Sequence, residues 1–471
     1  MKVSEEYYPE PLDRSKPPIS AQPICATFPD WFETVLPNGL KVMVYEQPAA
    51  PLVSIRLYVK AGSIDEGARH KAAMVAFAML LQGTTSRTAD EIAEEVDFIG
   101  AELGAWAGLD HSLVSLSVMP KYLKQGLALM SDVVLHPAFA EKELEFVRQQ
   151  SLNRLRFSKS DAGRLASDAF AQQVYFPHPY SYPVLGTVQS LTALTEADVR
   201  EFYSTFAVPN NSVLIATGNL KSEDFVAQLT EAFGTWQAKP LATTKRAQPN
   251  LRNAPKVILV QKDGAVQSVL MIGHLSIERA HPDYLKCYVL NTILGGYFGS
   301  RLNLSVREKQ GYAYSIRSTF DAKREAGDFN ISTQVRKDVT RLATTEILSQ
   351  VHTLLEQGVR EEELQAVKNY LSGNFVIQNE SPETILSRLA TVELYGLDRQ
   401  YYKTFQANIQ ALTLDDVHKT AKMYIQPERF VFVIVGEVKA MQKEVADLGE
   451  VVQIDPNNEE QTFSEALRVS S

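Results

Sequence analysis

Residues 194–218 read LTEADVREFYSTFAVPNNSVLIATG, and residues 412–436 read LTLDDVHKTAKMYIQPERFVFVIVG. Leu194, Thr195, Asp198, Val199, Pro209, Val213 and Gly218 recur as Leu412, Thr413, Asp416, Val417, Pro427, Val431 and Gly436, all at one offset of 218. Seven identities in 25 ungapped positions exceed chance likeness between two amphipathic helices, so the chain is a duplication. The local chemistry also repeats. A Thr with an acidic residue three positions on caps a helix start, a proline ends the helix, and a β-rich run closes on glycine.

Further echoes lie outward from this pair. EKELEFVRQQ from Glu141 matches EEELQAVKNY from Glu361 at an offset of 220, and the apolar segment before Gly83 matches that before Gly296 at 213. Such drift is what small loop insertions leave between duplicated domains. The expected organisation is an irregular extension over 1–30, a first domain over 31–238 and a linker over 239–255, KPLATTKRAQPNLRNAP, which lacks hydrophobic periodicity. A second domain over 256–440 and an acidic, polar tail over 441–471 follow.

Within the first copy, 40–46 after the turn Pro37-Asn38-Gly39 reads as a strand, as do 52–59, 101–107 and 111–119. The apolar stretch 72–81 is too long for a typical strand and reads as a buried helix. Thr88 with Glu91 caps another, and helices are expected near 120–134, 141–157 and 194–206. Strands, blocks of helices, then strands again make the fold class α+β: two homologous domains, each a largely antiparallel sheet covered by helices.

Composition narrows the function. With 45% hydrophobic and 22% charged residues the chain reads as an ordinary globular protein, and its 471 residues exceed what one core supports. The net charge of −9 argues against nucleic acid as main partner; Lys245, Arg246 and Arg252 read as a solvated linker. Two cysteines, Cys25 and Cys287, are too few for a disulfide scaffold. The start is polar and proline-rich with no apolar signal core, and no apolar run is long enough to span a membrane. The expected location is the cytoplasm, or the periplasm had a signal peptide been removed.

The ordered segments LPNGLKVMVYE (36–46), GSIDEG (62–67), MLLQGTTSRTADEIAEEVDFIGAELGA (79–105), HPAFAEKELEFVRQQ (136–150) and FPHPYSYPVLGT (176–187), then SRLNLSVREKQGYAYS (300–315) and EEELQAVKNYLSGNF (361–375), resemble the pitrilysin/insulinase zinc peptidases over about residues 33–438. Active members carry His-x-x-Glu-His on the helix before the Gly-Thr pair. Its two His, four positions apart, bind zinc, and its Glu serves as general base. The resemblance places those positions at Met74, Phe77 and Ala78, and the distant Glu ligand at about Arg154. A thioether, a phenyl ring, a methyl and a guanidinium do not make a water-activating zinc site. None of the eight histidines (His70, His111, His136, His178, His274, His281, His352, His418) has another within four residues, and no Gly-x-Ser-x-Gly elbow is present. His178, in a common family loop, reads as structural. No catalytic residue and no metal are therefore expected on this chain.

The second copy keeps what the family uses to hold substrate, an Arg and a Tyr seven residues apart, at Arg307 and Tyr314. Residue type alone favours a salt-bridged Arg307 and a core Tyr314. The flanking matches Ser300-Arg301-Leu302 and Ala313-Tyr314-Ser315 shift the reading to substrate binding, and Gly311 between them suggests a helix end followed by a strand. Some bacterial members, similar to the subunits of mitochondrial processing peptidases, divide the work: one subunit brings His-x-x-Glu-His, the other the Arg/Tyr pair. The resemblance implies half of such a clamshell, whose partners are a homologous zinc-bearing subunit and a peptide. Two other readings stand beside it, a structural assembly subunit and a peptide-binding homodimer.

Overall fold

The computed structural model of the chain describes residues 27–455 apart from 243–244. The first copy contributes β1 (Phe32–Val35), β2 (Lys41–Glu46), β3 (Val53–Val59), β4 (Glu102–Ala107), β5 (Ser112–Val118) and β6 (Ser212–Gly218), lying side by side in the order β1-β2-β6-β3-β5-β4. The second contributes β7 (Lys256–Gln261), β8 (Gln267–Ser276), β9 (Ala313–Ala322), β10 (Gly327–Arg336), β11 (Val431–Gly436) and β12 (Glu450–Ile454), in the order β12-β7-β11-β8-β10-β9. Without the outermost β1 and β12, the two orders are the same. Most neighbours are antiparallel, but β2 runs parallel to β6, and β7 runs parallel to both β11 and β12, so both sheets are mixed. Two of the parallel pairs arise because β6 returns to lie between β2 and β3, and β11 between β7 and β8; the third is the edge strand β12 beside β7.

The helices of the first copy are α1 (Ala72–Met79), α2 (Ala89–Phe98), α3 (Leu123–Leu135), α4 (Glu141–Ser158), α5 (Ala162–Tyr175), α6 (Val188–Ala193), α7 (Glu196–Phe206) and α8 (Ser222–Phe233). Those of the second are α9 (Tyr284–Asn291), α10 (Thr340–Gln357), α11 (Glu361–Asn379), α12 (Pro382–Leu394), α13 (Phe405–Ala411), α14 (Leu414–Tyr424) and α15 (Val438–Met441). The repeat that opens the sequence forms α7–β6 and α14–β11. Both helices begin with the same reciprocal cap, in which Thr195 and Thr413 each accept from the amide three residues on while Asp198 and Asp416 return to the threonine amide at 2.9 Å.

Each sheet has two apolar faces, and its own copy covers only one. In the first sheet Val42, Val44, Ile55, Leu57, Leu116 and Leu214 pack under α1, α3, α7 and α8. The opposite face, with Met43, Tyr58, Leu113, Val213 and Ile215, is buried with Ile385, Leu386 and Leu389 of α12, from the other copy. The arrangement is reciprocal. Ile258, Val260, Val431, Val433 and Val435 of the second sheet are buried against Ala166, Ala169, Phe170 and Val174 of α5. At about 1.5–3 kcal/mol per fully buried large apolar side chain, each exchanged helix contributes several kcal/mol to the other copy's sheet.

This exchange corrects the picture of two contiguous domains, since α5 belongs by sequence to 31–238 and by packing to the second sheet. The linker differs as well. Arg246, expected to be solvated, donates to the Ile64 carbonyl at 2.9 Å and pairs with Asp65 and Glu325, and Arg252 reaches the Gln173 amide oxygen at 2.6 Å. The linker therefore staples the two copies together. The expected tail contains β12, a short parallel edge strand, so the second sheet extends to Ile454. Of the expected extension, residues 1–26 lie outside the described residues, and Phe28 is buried beside Trp31 and Tyr402.

The exchange predicts that a fragment ending at residue 238 does not fold alone, because Met43, Tyr58, Leu113, Val213 and Ile215 lose their cover. Co-expression with a fragment beginning at 239 is expected to restore a soluble complex with the circular dichroism of the intact chain. A soluble, cooperatively melting 1–238 fragment would contradict the exchange.

Candidate functional site

Helix α1 carries the three positions that the resemblance assigns to zinc binding. It is wedged between α4, α7 and the edge strand β4. Ala72, Ala73, Val75, Ala76, Phe77 and Met79 are buried, so the helix is apolar nearly all round, as a core helix is. Phe77 is 1% exposed and meets the Tyr203 ring at 5.7 Å, while Met74 and Ala78 are half-buried against the same core. On α4, Arg154 is exposed and its neighbour Leu155 is buried. A thioether, a phenyl ring and a methyl offer none of the nitrogen or carboxylate donors a zinc site uses, and among the described residues no group of three His, Cys, Asp or Glu could hold a metal ion. The donor set does not fit zinc.

The start of α1 is nevertheless built with care. Buried Glu66 accepts from the amides of Lys71 at 2.7 Å and Ala73 at 2.9 Å, satisfying donors that a helix start leaves open. Lys71 sits in the left-handed region at φ 81°, also buried, with Nζ donating to the Val184 carbonyl at 3.1 Å. Gly186 makes room for it: a Cβ there would lie 2.7 Å from Lys71 Cγ. Burial pushes the Glu66 carboxyl up to about 7 against the pull of Lys71, and pushes the Lys71 ammonium down against the pull of Glu66.

Arg307 and Tyr314 lie in the other copy. Arg307 sits in an irregular, wide helical turn over Asn303–Lys309, anchored by buried Leu302 and Val306. Gly311, at φ 64°, ends the turn, and β9 begins at Ala313. At the head of β9 one extra residue bulges between Ala313 and Ile316, which oppose Val335 and Thr333. Bulges of this kind re-aim side chains, and here Tyr314 stands 88% exposed. The Arg307 guanidinium lies 5.5 Å from the Tyr314 ring centroid and 4.7 Å from that of Phe298, itself 62% exposed. Its ion pair with the adjacent Glu308, at 3.3 Å, is solvent-accessible and worth about 0–1 kcal/mol. The mostly covered arginine of this region is Arg301, which grips Glu363 through two bonds of 2.8 and 2.7 Å. Arg307 and Tyr314 are thus brought together at the surface, cationic and phenolic donors side by side, and neither is a core residue. His178 is fully buried, accepts from the Tyr180 amide at 3.1 Å and meets Glu325 at 3.2 Å, which ties it to the join between the copies.

Residues 41–188 match the model of "Insulinase (Peptidase family M16)", and residues 193–371 match "Peptidase M16 inactive domain". A relative named an uncharacterized zinc protease, from Mycobacterium tuberculosis, is 30% identical over 425 residues, covering 88% of this chain and 95% of its own. The chain belongs to the insulinase family. Another relative, the uncharacterized zinc protease YmxG of Bacillus subtilis, is 25% identical over 390 residues, covering 82% of this chain and 93% of its own. Among solved structures, a peptidase M16 inactive domain from Pseudomonas fluorescens superposes with a TM-score of 0.81 at 27% identity, covering 86% of this chain and 98% of that one. A Helicobacter pylori protease has the same fold at a TM-score of 0.81 and 19% identity, covering 86% of this chain and 99% of its own. In this insulinase-family chain the second half is thus the part that matches an inactive-domain model, and no helix among its described residues is long and apolar enough to cross a membrane.

Sequence reading did not single out Phe298, Glu66 or Lys71. An aromatic next to a glycine carries no signal for cation–π packing, and a buried carboxylate at a helix start looks like any surface acid. Glu66 gives a measurable signature. Its folded-state pKa lies above the ordinary 4.5, so the folded state binds its proton more tightly than the unfolded chain, and the resulting stability is lost as pH rises from about 4.5 to 7. Relative to Glu66→Gln, the wild type is expected to lose about 3 kcal/mol of unfolding free energy between pH 4.5 and 7.5 in urea titrations. A difference that stays constant across that range would contradict the burial of Glu66 in its acidic form.

Proposed function

We propose that this insulinase-family chain is the non-catalytic, substrate-gripping subunit of a heterodimeric zinc endopeptidase, acting in the cytoplasm. The observation that carries the reading is the exposed Arg307–Tyr314 pair in a chain whose α1 offers Met74, Phe77 and Ala78 where an active member offers two His and a Glu. A purely structural subunit has no use for a phenol held out at 88% exposure beside an accessible guanidinium.

The division of labour follows from the side chains. Arg307 presents planar N–H donors that suit peptide carbonyls, and its stacking between Phe298 and Tyr314 limits the rotamer freedom lost on binding. Tyr314 supplies one directional hydrogen bond, either to a substrate carbonyl or to the oxyanion as it develops. Zinc and the general base belong to a homologous partner with an intact His-x-x-Glu-His helix; there the metal supplies an activated water. This chain positions the peptide across the closing cleft and contributes donors to the transition state.

The test is reconstitution with such a partner, followed by kinetics. The chain alone is expected to hold no stoichiometric zinc and to show negligible peptidase activity, and mixing is expected to restore activity. Tyr314→Phe is expected to lower kcat/KM by about 1–4 kcal/mol of transition-state stabilisation, and Arg307→Ala by at least as much. Because both side chains are solvent-facing, each mutant is expected to melt within about 2 °C of the wild type. Normal activity with lowered stability would return the pair to a structural role.

A further inference from the structure

A cleft of about 890 Å³ opens on the second sheet, directly beyond Tyr314. Its floor is the outer face of β9 and β10, where Ser315, Arg317 and Thr319 alternate along one strand and Ser332 and Gln334 along the other. Its wall is the first turn of α5, the helix exchanged from the other copy. α5 covers β7, β11 and β8 and meets β10 at its far end, where the Tyr175 hydroxyl donates to Asp328 at 2.5 Å, while the part of β9 and β10 beside its first turn is polar and open. From Ser315 to Asp321 the strand runs seven residues, roughly 20 Å at about 3.3 Å per step, the length of a short extended peptide.

Three charged side chains line the cleft: Asp161, Arg317 and Asp321. Two are already satisfied. Asp161 accepts from the amides of Gly163 at 2.8 Å and Arg164 at 3.2 Å as the cap of α5, where the helix dipole offsets its charge. Asp321 is held at 2.7 Å by Lys323, which also pairs with buried Asp328. Arg317 is exposed and has no hydrogen-bond or ion-pair partner among the described residues. Its neighbour across the ladder is Ser332, so no acid stands opposite it. Of the three charged side chains that line the cleft, Arg317 is therefore the one without a bonded partner, and it is positive, although the protein as a whole is negative at −9.

We infer that this cleft is a substrate subsite, in which Arg317 recognises an acidic side chain of an extended peptide whose neighbouring segment is held by Arg307 and Tyr314. The inference rests on the substrate-gripping role proposed above and names the peptide chemistry that the role selects. The acid is an internal Asp or Glu rather than a chain terminus, because the cleft continues past Arg317 in both directions, to Ser315 on one side and to Thr319 and Asp321 on the other. Charge complementarity here supplies discrimination more than affinity, since the guanidinium stays partly hydrated.

The experiment is fluorescence anisotropy of the intact chain with two short fluorescein-labelled Gly/Ser peptides, identical except for one central Glu or Gln and each made with a free or amidated C-terminus. The wild type is expected to bind the Glu peptide about threefold to tenfold more tightly at low salt, whatever the C-terminus, and to lose the preference at high salt. Arg317→Gln is expected to abolish the preference and Arg317→Glu to reverse it toward a Lys peptide, with melting temperatures unchanged. A preference that persists in Arg317→Gln, that depends on the free C-terminus, or that is absent from the wild type overturns the assignment. Binding of neither peptide overturns it too and leaves reconstitution to judge Arg307 and Tyr314 separately.

Discussion

A mixed sheet flanked by helices on one side still has another face to hide from water, and in this protein neither copy can hide it alone. The whole architecture follows from how that second face is covered. By lending α12 to the first sheet and taking α5 for the second, the two copies make each other's cores, so that duplication yields one folded body rather than two beads. Polar contacts at the join follow the same logic. Arg246 ties Asp65 to Glu325, and Arg324 reaches Asp65 at 3.2 Å, so charges from both copies are paired where the backbone crosses. Asp65 is shared by both arginines, so the join is a small network rather than an isolated pair.

The functional surface inherits this constraint. The borrowed α5 lies over β7, β11 and β8, and beside its first turn β9 and β10 keep an open polar face. The bulge at the head of β9 turns Tyr314 outward at the rim of that face, and the wide helical turn before it brings Arg307 alongside. In the first copy the corresponding investment has gone into packing. The α1 positions at which active relatives need polar ligands are filled with Met74, Phe77 and Ala78, and the helix is held by the Glu66 cap. One copy has become a support and the other a surface.

Much of this could be read from the residues. The ungapped repeat fixed the unit α7–β6, and its threonine–aspartate caps appear in the structure with nearly the same geometry in both copies. The α+β class followed from the alternation of periods, and the helix over 72–81 from its length. The exchange of α5 and α12 could not be read, because an amphipathic helix declares that one face is buried without saying whose sheet buries it. The linker arginines looked solvated for the same reason: their partners, Asp65, Glu325 and Gln173, lie far away in sequence. Residue types alone favoured a core Tyr314. The local ladder irregularity that exposes it has no signature beyond Gly311, and only the motif around it pointed away from the core.

The account stands on the claim that this chain grips and another cuts. The most direct measurement isolates the native complex through a tag on this chain, then determines zinc content and peptidase activity on the intact complex and on its separated subunits. The account predicts one zinc ion per complex, retained by the partner after separation, and activity that disappears from this chain and returns on recombination. Zinc retained by this chain, or peptide cleavage by it without a partner, would contradict the account at its centre.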